Sequence, residues 1–205
     1  MTTNEADART RILETAIEVF AAEGFAGARI DDIAKRAGVN KAMVYYHVGD
    51  KQALYSAVFQ MVAGNGATAV EQAIQGAGDS CEAKLRAAIA GLVGLAQTHP
   101  QFPQLVLREV ASRGAGITPE MVAIISRIYS LLGSILRSGA ERGEFKPVDP
   151  TLIAMHIVGS LVFLNAAAPV REKLRERIDP STVGTETPES MLEAITNIVF
   201  HGLSK

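Results

Sequence analysis

The chain has 205 residues, 48% of them hydrophobic and 20% charged, which is enough for one large or two small domains around a buried core. A formal net charge of −2 excludes a wholly basic nucleic-acid coat but leaves room for a local basic patch. The single Cys excludes an intramolecular disulfide and a multi-cysteine zinc site, and a lone thiol fits a reducing, cytoplasmic location.

The N-terminal stretch MTTNEADAR is polar and mixed in charge, without the apolar run of a secretory leader. Along the chain, apolar spacings of three and four recur while strict alternation is scarce, so an all-α protein is expected. A first helix is predicted over 6–23, with Leu13, Ala16, Ile17 and Phe20 on one face and Gly24 as its stop. A short helix over 30–37 turns Ile33, Ala34 and Ala37 inward, and Ala37-Gly38-Val39 makes a tight turn. Asn40 is a good N-cap for a second short helix over 41–47. Gly49-Asp50 ends it, and Asp50 caps a fourth helix that starts at Lys51 and carries Leu54, Val58, Met61 and Val62.

Beyond about residue 70 the segments become longer and more apolar. A helix over 80–97 places Leu85, Ile89, Leu92, Val93 and Ala96 at helical spacing. Pro100 and Pro103 interrupt, a helix over 103–113 follows, and 114–119 reads as a loop. Pro119 suits the first position of a long helix ending near residue 142. The next helix, over 151–167, lies in a stretch without charge from Pro150 to Val170. About 20 apolar residues suffice to span a bilayer. Here His156, Ser160 and Asn165, the terminal prolines and the mixed flank Arg171-Glu172-Lys173 favour a helix buried in a bundle or a dimer, and no membrane partner is expected. Residues 171–187 form a connection with room for a helical turn, and Pro188 opens a last helix over 189–201. No repeat with a period of 20 to 50 residues is present.

The stretch Ile30 to His47 carries the functional signal: two short helices joined by a tight glycine turn form a helix-turn-helix. A helix of seven residues is about 10 Å long and fits a major groove about 12 Å wide. Its exposed side begins Asn40-Lys41-Ala42-Met43, small or polar types that let the helix N-terminus approach bases and phosphates. Tyr45, Tyr46, His47 and Lys51 follow, and these types hydrogen-bond phosphates and fix register. Residues 29–60 hold five basic residues (Arg29, Lys35, Arg36, Lys41, Lys51) against three acids, a net of +2, whereas residues 1–28 have a net of −3. A solvated charged face is the competing reading of that patch.

These residues resemble a family. FAAEGFAGARIDDIAKRAGVNKAMVYYHVGDKQALYSAVF is similar to the helix-turn-helix of the tetracycline-repressor-like (TetR) transcriptional regulators, over about residues 9–60. Phe20, Gly24, Asp32-Ile33-Ala34, Ala37-Gly38-Val39, Lys41, Tyr45-Tyr46-His47, Lys51 and Leu54 all match in register. The stretch Ala140-Glu141-Arg142-Gly143-Glu144-Phe145, followed by Pro147-Val148-Asp149-Pro150, also recurs in members of that family. Three positions depart from it: Ala28-Arg29 replaces a Ser or Thr helix start, Ala42-Met43 replaces a Gly-Thr-like pair, and Val48 replaces an aromatic. Met43 donates no hydrogen bond, so base reading there would be apolar, for example against a thymine methyl.

The resemblance implies an N-terminal three-helix DNA-binding unit (residues 1–50), a connecting helix (51–70) and a larger helical ligand-binding and dimerisation domain (71–205). It implies a repressor released from a near-palindromic operator by a small-molecule effector. DNA contacts are expected from Arg29, Asn40, Lys41, Ala42, Met43, Tyr45, Tyr46, His47 and Lys51. A homodimer is expected through the helices near 151–167 and 189–201, both too apolar for single-sided burial. Candidate effector contacts are Phe102, Arg108, Met121, Tyr129, His156, Phe163 and Asn165, together with Glu109 and Arg113, as the polar or large residues of the central helices. The competing readings are core packing for Phe102, Met121 and Phe163, bonds to neighbouring helices or across the dimer for His156 and Asn165, and a solvated pair for Arg108 and Glu109.

Other motifs are weaker. Gly64-Asn65-Gly66-Ala67-Thr68-Ala69 matches a dinucleotide-binding pattern, but helix signals precede it where a strand is needed, so a weak point in the fourth helix, or its end, is the better reading. The four His residues lack metal-ligand spacing and no catalytic motif is present, so neither a cofactor nor catalysis is expected. Two alternatives remain: a small-molecule-binding or interaction protein with a degenerate helix-turn-helix, and an enzyme on an all-helical fold.

Overall fold

A computed structural model describes residues 3–178 and 187–204, so the stretch 179–186 of the expected connection lies outside the described residues. The first element, α1 (Thr3–Gly27), is bent at Gly24, whose φ of 72° lies in the left-handed region that glycine tolerates. The predicted stop is therefore a kink, and the chain makes a further turn to Gly27. The helix α2 (Ile30–Arg36) and the helix α3 (Lys41–Val48) are joined through Gly38 at a φ of 68°. Asn40 and Asp50 cap α3 and α4 (Lys51–Phe59) through the N–H groups of Met43 and Ala53, each at 2.8 Å.

α4 does not end where the glycines begin. It passes through a π turn (Gln60–Gly64) into α5 (Asn65–Gly76), so the helical connection extends beyond the expected residue 70. Gly66 serves packing: a Cβ there would come within 2.6 Å of Leu95, so its absence lets the next helix approach closely. That helix, α6 (Cys81–Thr98), is capped by Ser80 and packs along α5. Then come α7 (Phe102–Ala111), α8 (Pro119–Glu141), α9 (Pro150–Ala166), α10 (Ala168–Arg175) and α11 (Pro188–Leu203). Thr118, Asp149 and Thr187 cap α8, α9 and α11, each followed by Pro at the start of its helix.

Two apolar cores organise these helices. The first gathers Phe20, Ile33, Val44, Leu54 and Tyr55 from α1 to α4, and Phe102, Leu105 and Met121 complete it from α7 and α8. The second joins α5, α6, α8, α9 and α11 around Val70, Ile89, Leu136, Ile157 and Val199. Among the described residues α8 is the one helix long and apolar enough by itself to cross a membrane. It is amphipathic, with Met121, Leu132, Ile135 and Leu136 inward and Glu120, Arg127 and Arg137 outward. The uncharged α9 packs on α6, α7, α8 and α11, and the chain bends by 57° where α10 begins.

Candidate nucleic-acid interface and the cavity behind it

Val44, fully buried, pins the inner face of α3 onto the first core. Lys41, Ala42, Tyr45 and Tyr46 consequently face solvent, and Tyr46 is 75% exposed. Asn40 is exposed, and its Oδ1 accepts the Met43 N–H, so its side chain sets the helix start while its amide NH₂ takes no part in that cap bond. Met43 and His47 are half-buried, and the His47 ring meets Tyr46 edge-on at 5.1 Å. Among the described residues the His47 Nε2 is buried without a hydrogen-bond partner.

Two cations of this surface, Lys41 and Lys51, have partners. Lys41 Nζ lies 2.9 Å from Asp31 of α2. The Asp31 hydrogen bond, and then its charge, raise the Lys41 pKa above the ordinary value, while the nearby Arg29 charge opposes them. Arg29 is exposed at the start of α2, with no side-chain cap bond. Lys51 sits 4.9 Å above the Phe25 ring and donates to the Ala26 carbonyl at 3.2 Å. The surface thus offers aromatic hydroxyls and ammonium groups of the kind that bind phosphate oxygens.

Behind this unit lies an apolar cavity of about 490 Å³. Ligand sites commonly measure about 300–1,000 Å³. Phe59 of α4 and Ala63 of the π turn form one wall, Leu92 and Leu95 of α6 another, and Val106, Ile128 and Leu161 close it from α7, α8 and α9. Phe102 and Tyr129 line it as well, and burial raises the Tyr129 pKa. Glu109, Arg113, Gly114 and Ile117 bound it at the end of α7 and in the loop that follows.

Five of the expected contacts sit elsewhere. Arg108 turns to α1 and donates to the Ala21 carbonyl at 2.6 Å and to the Ala22 carbonyl at 2.5 Å, because α7 crosses α1 on that side. Met121 is fully buried in the first core. His156 and Phe163 point outward from α9, and Phe163 is 62% exposed. Asn165 donates to the Leu161 carbonyl one turn back. Most of the true lining residues are Leu, Ile, Val, Ala and Phe at ordinary helical spacing, and nothing in their type separates a cavity wall from a filled core.

Comparison with known proteins agrees with this geometry. Residues 12–58 match the family described as bacterial regulatory proteins, tetR family, and residues 78–165 match the tetracyclin repressor-like C-terminal domain. The HTH-type transcriptional repressor NicS of Pseudomonas putida is 29% identical over 96% of this chain and 92% of its own length. The HTH-type transcriptional activator FasR of Mycolicibacterium smegmatis is 28% identical over 79% of this chain and 74% of its own. The fold is that of the TetR family regulator PfmR from Thermus thermophilus, with a TM-score of 0.73 at 23% identity over 96% of this chain and 97% of that one. It is also that of AibR, solved in complex with isovaleryl coenzyme A and operator DNA, with a TM-score of 0.71 at 20% identity over 94% and 98% of the two chains. Regulators built this way act by binding DNA and are generally not enzymes. With the reading unit and the helical body both matched, the chain belongs to the TetR family of helix-turn-helix transcriptional regulators.

Proposed function

We propose that the protein is a cytoplasmic repressor that reads a near-palindromic operator as a homodimer and is released by an apolar effector. The carrying observation is that one continuous helical connection serves both ends: α4 leaves the reading unit at Lys51 and, with the π turn that follows it, reaches the cavity wall at Phe59 and Ala63. Whatever fills that cavity contacts the helix on which the reading unit is mounted, so a shift of that helix changes the ligand's contacts, as coupling requires. Arg29, Asn40, Lys41, Ala42, Met43, Tyr45, Tyr46, His47 and Lys51 make the DNA contacts in this reading. Residues 1–50 read, α4 and α5 connect, and the remainder binds the effector and dimerises. The relative that aligns with 96% of this chain is named a repressor, which favours that sign of regulation.

The dimer is proposed through α9 and α11. Leu152, Met155 and Phe163 form an exposed apolar stripe along α9, and Ile198 is 60% exposed on α11. Two such helices from each protomer make a four-helix bundle and set two recognition helices on one side of the molecule. Selection from a random double-stranded DNA pool at about 150 mM salt tests this function. The expected product is a near-palindrome with half-site centres about one helical turn or more apart. Bound fragments with no common sequence, from folded dimeric protein, would instead favour a ligand-binding protein with a degenerate helix-turn-helix.

A further inference from the structure

One wall of the apolar cavity holds a buried charge. Glu109 is only 5% exposed and lines the cavity near the end of α7. Its Oε1 accepts the Tyr55 hydroxyl at 2.7 Å, and its Oε2 accepts the Gly116 N–H at 3.1 Å. Both donors are neutral, and a carboxylate offers about four lone-pair sites, so acceptor capacity remains. Among the described residues no ion pair reaches Glu109: the adjacent Arg108 is committed to the carbonyls of α1, and Arg113 is exposed at the cavity edge. A buried carboxylate without a counter-charge is costly, and a cation delivered through the cavity relieves that cost.

Resting on the reading of this cavity as the effector site, we propose that the effector is an apolar cation whose hydrocarbon body fills the cavity and whose protonated amine pairs with Glu109. An anionic head would meet the Glu109 charge in a low-dielectric wall, where repulsion is strong. The exposed Arg113 offers such a head less, because water and salt screen it.

The same carboxylate is fastened to the helix that carries the reading unit. Tyr55 belongs to α4 and packs edge-on against Phe20 at 4.7 Å within the first core. Around it, Gln52 donates to the Gly116 carbonyl at 2.9 Å, and the Ser56 and Thr118 hydroxyls lie 3.1 Å apart. The fit leaves no slack, since a Cβ on Gly116 would come within 2.7 Å of the Glu109 Oε1. Burial, and then the Glu109 bond and charge, raise the Tyr55 pKa, so the phenol remains a donor. An amine that draws Glu109 toward the cavity removes the acceptor of this buried hydroxyl and loosens α4 where it leaves the reading unit. Ligand chemistry and operator release thus meet at one carboxylate.

Three probes of equal chain length separate head-group charge from apolar filling: octylamine, 1-octanol and octanoate. Binding is measured by calorimetry on the full chain, and release by fluorescence anisotropy of the operator complex. Octylamine is expected to bind about tenfold or more tighter than 1-octanol, with octanoate weakest, and to release the operator best. Glu109→Gln is expected to bring octylamine to the level of 1-octanol while leaving 1-octanol binding intact. Arg113→Ala, at the rim, is expected to leave the order unchanged. Equal binding of octylamine and 1-octanol, or tightest binding of octanoate, by the unmodified protein overturns the proposal even where Glu109→Gln fails to fold. Binding of none of the three by protein that still binds its operator overturns the effector-site reading itself, and the proposal with it.

Discussion

The side chains that α3 and the start of α4 present differ in what they offer DNA. The Tyr46 hydroxyl and the Lys51 ammonium suit phosphates, which carry no sequence information. Tyr46→Phe and Lys51→Ala are each expected to weaken binding to operator and scrambled duplexes alike, and Lys51→Ala to flatten the slope of log K against log salt by about 0.9. Met43 suits base edges instead, and Met43→Thr is expected to shift preference at single base pairs by about 1–3 kcal/mol. Anisotropy titrations over a salt series distinguish the two behaviours. Tyr55 carries a different prediction. Its pKa is raised above the ordinary 10.0, so its contribution to stability is intact below that pH. As pH rises further, the unfolded chain releases a proton that the folded chain retains, and stability falls. Urea denaturation between pH 9 and 11 is expected to show this loss, and Tyr55→Phe to reduce it while costing about 1–3 kcal/mol at neutral pH.

At the scale of elements, much was legible because helix ends carry chemistry. Asn40, Asp50 and Ser80 cap the helices they were expected to start, and Pro119 and Pro188 open theirs. α3 is a short helix and depends on its cap more than a long one does. Asn40→Ala is expected to cost about 1 kcal/mol of stability and to weaken operator binding without changing its sequence preference, measured by denaturation and by selection on the variant. The π turn over Gln60–Gly64 was not legible as such: the sequence marks a weak point or a helix end over Gly64 to Ala69, and a slipped hydrogen-bond ladder leaves little trace in composition. The cavity left only a partial one, in its large or polar lining residues Phe102, Glu109, Arg113 and Tyr129. Its walls at Leu92, Leu95, Val106 and Ile128 share residue type and spacing with the filled core, and a void differs only in what faces what. Facing also explains the expected contacts that went elsewhere. Periodicity places Arg108 on a face of α7, but only the crossing of α7 over α1 decides that this face meets carbonyl groups.

At the scale of the molecule, the outward stripe of α9 and α11 is the face that the dimer would cover. Phe163→Glu and Ile198→Glu place charges on it and are expected to give monomers in sedimentation experiments. Operator affinity should then fall on the order of a hundredfold, because two linked reading units bind with avidity that one lacks. The first core crosses the division between reading unit and body, since Phe102, Leu105 and Met121 join the cluster built on α1 to α4, with α7 packing on α1 and α8 on α4. That arrangement bears on how such regulators can be recombined. A chimera that grafts residues 1–50 of a relative onto this body would seat a foreign α1 on α7 side chains shaped for the native one. It should regain full stability only when positions 102, 105 and 121 travel with the graft. The exchangeable module is a packing group drawn from distant parts of the chain, and swap libraries should be cut along that group.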